Sequence, residues 1–259
     1  MKNSINKTFK RTSRAFFVVV FWVLVWHFTA VIIDKEILIS TPLDTVKNLI
    51  KLAQTREFYI IVSSSVLRIV LGFFFAVIVG SVLGIITGKI RFVDELISPL
   101  LSIIKSTPVA SFIILALFWL SKESIPSFIA FLMVLPIIHG NVSEGIKNTP
   151  NDLLEMTKVY KFTHKQTITK LYFPTVMPYF LAGIKTSLGL AWKAGVAAEV
   201  IAFTKNSIGK ELNSAKIYLE TVDVFSWTLT VIIISIILEK LLLYVVTKLS
   251  QKRKKEVAL

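Results

Sequence analysis

Residues 15–33, AFFVVVFWVLVWHFTAVII, form an unbroken apolar run of 19 residues. At about 1.5 Å per residue, a helix of that length spans roughly 28 Å, close to the hydrocarbon thickness of a bilayer. Lipid offers the backbone no hydrogen-bond partner, and a helix satisfies every N–H and C=O within the segment itself. Five basic residues precede the run: Lys2, Lys7, Lys10, Arg11 and Arg14. A signal peptide starts the same way, but its apolar core is shorter and ends in a small-residue cleavage site. None is evident before Asp34, so a retained helix with a cytoplasmic N-terminus is expected.

The rest of the chain repeats the pattern. With 54% hydrophobic residues and a mean hydropathy of +0.71, its 259 residues are more apolar throughout than a soluble domain. Further spans are expected at about 59–88, 95–120, 124–142, 177–203 and 223–247. In the second, Gly80, Gly84 and Gly88 recur every four residues, with Gly72 and Ser81 nearby, a stripe that lets another helix approach closely. Pro108 breaks the third span, and Pro136 lies in the fourth. Before the second span, Ser40 or Thr41 can cap a short helix that starts at Pro42. Its stripe of Val46, Leu49, Ile50 and Ala53 suits an interfacial position outside the membrane. A polar amphipathic stretch over 204–222 belongs on the same side. The expectation is an all-α integral membrane protein of six transmembrane helices, folded as one domain over 1–259.

The formal charge of +14 tests this topology. Seventeen of the 30 Lys/Arg fall on the side of the N-terminus: in the N-terminal segment, at Lys89 and Arg91, in the 143–176 loop and in the tail KLSQKRKKEVAL. Eight fall on the other side, and Arg68, Lys105, Lys185, Lys193 and Lys240 lie within spans. Positive charge stays inside, which places both termini in the cytoplasm and the chain, multi-pass, in the lipid bilayer of the cell membrane. Basic residues scattered over four separate segments do not suit nucleic acid. With no cysteine, disulfides and Cys-based zinc sites are excluded, and His27, His139 and His164 lack metal-ligand spacing. No phosphate-binding loop, Ser-His-Asp set or paired carboxylates appear, so neither an enzyme nor a cofactor is expected.

The loop over 143–176 is predicted to hold two short helices. TPNDLLEMTKVYK starts with Thr149 as N-cap and Pro150 at the first position, and Leu153, Met156 and Tyr160 share one face. THKQTITKLYF starts with Thr163, has Gln166 at the capping-box position, and carries Ile168, Leu171 and Tyr172 on its apolar face. Pro174 and Pro178 then punctuate the return to lipid. Such a hairpin either lies on the headgroups as a solvated loop or docks a protein partner.

Glu155, Leu171 and Phe173-Pro174 stand at the spacing of a known motif. The segment resembles the EAA motif of inner-membrane permeases in binding-protein-dependent ABC importers: Glu-Ala-Ala, three residues, Gly, nine residues, a hydrophobic residue, one residue, Leu-Pro. Met156 and Thr157 replace the alanines, Lys161 the glycine and Phe173 the leucine. SSSVLRIVLGF (63–73), STPVASFIILALFWL (106–120) and LAGIKTSLGLAWKAGVAAEVI (181–201) resemble the sulfonate, taurine and nitrate permease branch. The likeness covers roughly residues 60–202 and implies the type I ABC importer permease fold. It also implies that the loop seats in a groove of an ATP-hydrolysing subunit. Leu153, Glu155, Met156, Tyr160, Lys161, Leu171 and Pro174 would then couple the two chains. Two ATPase copies need two such loops and this chain has one, so a second permease copy, as a homodimer, is implied. A solute-binding protein would deliver a small anion such as an aliphatic sulfonate, taurine or nitrate, or alternatively a pyrimidine precursor of thiamine.

Arg68, Lys105, Lys185, Trp192, Lys193 and Glu199 are the candidate lining of the translocation pathway. Lys185, Trp192 and Glu199 are spaced i, i+7, i+14, which puts them on one stripe of the fifth span. Ionisable groups at membrane depth face water or a bundle interior. Glu199 is read as lining the pathway, against an interhelical ion pair with Arg68, Lys105 or Lys193. Lys185 and Arg68 could instead snorkel to an interface. Lys193, more central, favours an anion. The rivals are an ion-coupled secondary transporter with Glu199 as its titrating group, and a membrane-embedded enzyme or structural anchor, which would need clustered catalytic residues at one interface.

Overall fold

The computed structural model describes the backbone of residues 2–35 and 37–257 and the side chains of 17–35, 37–244 and 248. The basic side chains expected inside at the N-terminus lie outside the described residues, as do those of the tail apart from Lys248. In order, the helices are α1 (Lys2–Ile33), α2 (Pro42–Ala53), α3 (Arg56–Lys89), α4 (Arg91–Ser106), α5 (Val109–Ala116), α6 (Ile125–Lys147), α7 (Asn151–Val159), α8 (His164–Thr167), α9 (Phe173–Ala202), α10 (Ile208–Ile217) and α11 (Thr221–Val257). A π-helical turn, Ile168–Tyr172, joins α8 to α9. Among the described residues there is no strand.

Among the described residues, three helices are long and apolar enough to cross a membrane: Arg56–Lys89, Ile125–Lys147 and Thr221–Tyr244. The pair Arg91–Ser106 and Val109–Ala116 makes a fourth if it is counted as one span, bent by 100°. The expected span over 95–120 is therefore two helices at nearly a right angle. Pro108 has no N–H to offer and drives the residue before it out of the helical region, and Thr107 accordingly sits at φ −80°, ψ 133°. The first expected span lies in α1, whose side chains are described only from Phe17 on, and the fifth lies in α9, which carries Lys185, Lys193 and Glu199 among prolines and small residues. Pro136, by contrast, sits buried inside an unbroken α6.

The chain divides into two units, residues 1–59 with 211–231, and 60–210 with 232–259. The first is held by polar contacts. Thr41 caps α2 by accepting from the Asp44 N–H (3.2 Å), with Pro42 in the first turn as expected. The face of α2 turned to its neighbours is the polar one, however. Thr45 is fully buried and donates to Ser40 Oγ (3.1 Å), while Ser226 donates to the Thr45 carbonyl (3.1 Å). Asn48 donates to Asp223 and Ser226, and Val46 and Ile50 from the predicted stripe remain exposed. Trp26 donates to the Ser40 carbonyl (2.9 Å) and stacks on Phe225, and Phe58 stacks on Trp227.

In the second unit the core lies where α3, α6 and α9 meet, around Ile69, Phe73, Ile129, Val134, Ile138 and Trp192. The predicted glycine stripe makes this possible. A Cβ at Gly72 would lie 2.1 Å from the Ser127 carbonyl oxygen, and one at Gly84 2.8 Å from that of His139. Only glycine allows α3 to approach α6 so closely. Deeper along the same seam, Thr87 and His139 share a hydrogen bond of 2.8 Å between the Thr87 hydroxyl and His139 Nε2.

Candidate functional site

The segment between α6 and α9 starts one residue later than its sequence suggests. Pro150 is the N-cap of α7, and Thr149 is buried, donating instead to the Gly145 carbonyl (3.3 Å). α7 then turns Thr157 inward and leaves Leu153, Glu155, Met156, Val159 and Tyr160 exposed. Tyr160 is 71% and Val159 76% exposed, so the outer side of the helix is an uncovered apolar patch beside a carboxylate. Val159 was missed in the sequence, although its place three residues after Met156 marks it.

Lys161 closes α7 with φ at +49°. The Phe162 N–H reaches back to the Thr157 carbonyl (2.8 Å), bonding across a left-handed residue as in a glycine-terminated helix. The lysine thus adopts the conformation that glycine takes at lowest cost, and the turn keeps its form. The capping box predicted at Thr163 is present, with the Thr163 hydroxyl accepting from the Gln166 backbone N–H and the Gln166 side-chain Oε1 accepting from the Thr163 N–H (2.8 Å).

The predicted stop at Pro174 does not occur. From His164 the chain is helical without a break to Ala202, through the π turn and past Pro174 and Pro178. In the π turn, Phe173 bonds back to Ile168, one residue further than in an α-helix. The wider turn sits directly before Pro174, where the ladder lacks a donor. Leu171 faces inward and is 7% exposed, while Pro174 is exposed.

The candidate pathway residues separate into two groups. Trp192 and Glu199 are buried. The Glu199 carboxylate accepts from Ser65 Oγ (2.9 Å), the Gly209 N–H (3.3 Å) and Arg68 Nη2 (3.4 Å). Arg68 Nη2 also donates to the Asn206 carbonyl (2.7 Å), and Ser65 accepts from the Ile208 N–H (3.0 Å). Gly209 is required here, since a Cβ would lie 2.4 Å from that of Glu199. The carboxylate therefore ties α3, α9 and the 203–209 turn together. This is the ion-pair arrangement weighed in the sequence, with Arg68 as the partner.

Lys185, Lys193 and Lys105 are exposed. On α9, Ala182, Thr186, Leu190, Lys193 and Ala197 are exposed on one side, with Lys185 at its edge. A Cβ built on Gly189 on that side meets nothing within 4 Å. Beside it, a cavity of about 120 Å³ between α9 and α11 is lined by Lys185, Gly189, Trp192, Ser235 and Glu239. That Lys185 and Glu239 line one cavity is not legible from spacing, because they stand on different helices.

Known proteins resemble this chain in sequence. The chain is 31% identical over 140 residues to the nitrate import permease protein NrtB of Synechocystis sp., covering 53% of this chain and 50% of that protein. Against the bicarbonate transport system permease protein CmpB of Synechocystis sp. it is 28% identical over 135 residues, 52% of this chain and 48% of that one. A Bacillus subtilis permease named for aliphatic sulfonates transport, SsuC, is 26% identical over 190 residues, 73% of this chain and 68% of its own. The first two matches span about half the length of those relatives. Residues 76–256, which hold Gly80, Gly84 and Gly88 of the seam, the α7 patch and the whole of α9, match one family over more than half of the chain. This membrane-embedded protein belongs to the family of inner membrane components of binding-protein-dependent transport systems.

Proposed function

We propose that the chain is the permease subunit of an ABC importer for a small anion, driven by an ATPase that seats the α7 patch and Glu155. In this reading 15–33 and 177–203 join the apolar helices to make six spans in one domain, with both termini cytoplasmic. Two copies pair, two ATPase subunits dock on the two loops, and a solute-binding protein delivers the anion from outside. Names among the relatives, nitrate, bicarbonate and aliphatic sulfonates, all describe small anions.

One observation carries the pathway. The exposed side of α9 is mostly alanine, threonine, glycine and lysine, with Leu190 and, at its end, Ile201 as its bulky apolar residues. A lipid-facing helix presents large apolar side chains, and lysines at membrane depth turn to water or protein. The same side suits a narrow aqueous path with positive potential, supplied by Lys185 and Lys193. Glu199 and Arg68 are assigned to packing behind it, and Lys105 stays a candidate on α4.

Gly189→Leu tests this. A Cβ at Gly189 meets nothing within 4 Å, so the purified assembly should form normally while uptake into proteoliposomes falls at least tenfold. Normal uptake with normal assembly would remove this side of α9 from the pathway.

A further inference from the structure

The second unit contains an apolar groove that the coupling and pathway readings leave unused. It has a volume of about 340 Å³ and lies among α3, α6, the π turn and the start of α9. Ile85, Val142, Ile146, Val176 and Phe180 line it. At its rim stand Lys89 and Tyr172, with the Lys89 ammonium 4.7 Å from the centre of the tyrosine ring.

We propose that this groove seats one anionic phospholipid, with an acyl chain along the apolar lining and its phosphate on Lys89. Three observations point to that occupant. Lys89 is the last residue of the apolar helix α3, where a membrane-crossing helix meets the headgroups. The exposed surface of α3 leading to the rim is apolar throughout, through Phe74, Ile78, Val82 and Ile85, as acyl chains require. The cation is held over an aromatic face at the rim, leaving its outer side to an anion. Basic pockets between membrane helices recognise lipid headgroups in this way. A soluble partner would leave the adjoining apolar strip uncovered.

The proposal rests on the reading that Arg56–Lys89 crosses the bilayer, and its position gives it a consequence. Ile168 and Tyr172 belong both to the groove and to the turn that links the α7 patch to α9. A seated chain therefore props the turn from behind, and the lipid becomes part of the lever between ATPase and pathway.

The test uses the full assembly, permease with its ATPase, titrated with dioleoyl-phosphatidylglycerol or dioleoyl-phosphatidylcholine and followed by native mass spectrometry. Phosphatidylglycerol should be retained about fivefold over phosphatidylcholine, the share of one lysine at a membrane surface. Lys89→Gln should remove that preference and Lys89→Arg keep it. Ser81→Phe, which fills the groove from its edge, should reduce retention of both lipids. Equal retention of the two lipids by the unsubstituted assembly, or an unchanged preference in Lys89→Gln, overturns the proposal. So does a photo-crosslinker at position 85 that captures a second permease copy and not lipid. Equal retention of the two lipids by an unsubstituted assembly with normal uptake defeats the lipid site alone, whereas lipid preference without any uptake defeats the transport reading alone.

Discussion

Glu199→Gln is the substitution whose outcome separates two roles for the same carboxylate. Glu199 is fully buried and accepts from Ser65, Gly209 and Arg68. The amide keeps the shape and one acceptor oxygen, so the Ser65 and Gly209 contacts can survive on one side. What it cannot keep is the charge facing Arg68, whose side chain is only 18% exposed. Hydrogen bonds to charged groups are worth about 1.5–3 kcal/mol, and breaking a buried pair costs about 3–5 kcal/mol. Arg68 retains the Asn206 carbonyl at 2.7 Å, and the ion pair itself is long at 3.4 Å. Both features pull the cost toward the lower end, about 2–4 kcal/mol, or roughly a 30- to 1,000-fold rise in the unfolded population. Denaturant unfolding in mixed micelles, followed by tryptophan fluorescence, measures it. The double variant Arg68→Met/Glu199→Gln should recover at least a third of the loss, because no stranded charge remains. Uptake should fall only in proportion to the folded fraction. Unchanged stability with abolished uptake would refute the packing role and return Glu199 to the pathway.

Four further outcomes follow from the same structure. Gly72→Ala should destabilise the protein by about 2–3 kcal/mol in the same unfolding assay, since the new Cβ meets a backbone oxygen at 2.1 Å. Gly140→Ala, with nothing within 4 Å, should be neutral or stabilising by up to about 1 kcal/mol. Lys161→Gly should slow hydrogen exchange at the Phe162 amide, because it relieves a left-handed lysine worth about 1–2 kcal/mol, less the entropy glycine adds to the unfolded chain. Glu155→Arg should reduce co-purification of the ATPase at least tenfold with the permease still folded; recovery at normal stoichiometry would remove α7 from the interface.

Local features were legible wherever neighbours in sequence decide them. The Thr163 capping box, the start of α2 at Thr41–Pro42 and the break at Pro108 are set within a few residues by backbone donors and acceptors. The glycine stripe announced a close helix contact, and the contact is with α6. The α7 surface was legible from its period, apart from Val159. Pro174 was misread because a lone proline signals a stop only when the preceding turn is an α turn. Here a π turn absorbs it, and no residue in ITKLY marks one.

What the sequence alone determined is that the chain is helical, apolar enough for lipid, and capped and broken at particular residues, because hydropathy and backbone hydrogen bonding act over a turn or two. It also limited the partners of Glu199 to a short set of cations, since an isolated buried carboxylate is not stable. Only the tertiary structure decided which cation, which polar side of α2 turns inward, and which side of α9 stays open. Those depend on residues more than a hundred positions apart, as with Arg68 and Glu199. Their approach is decided by packing across glycines, and no local pattern encodes that distance.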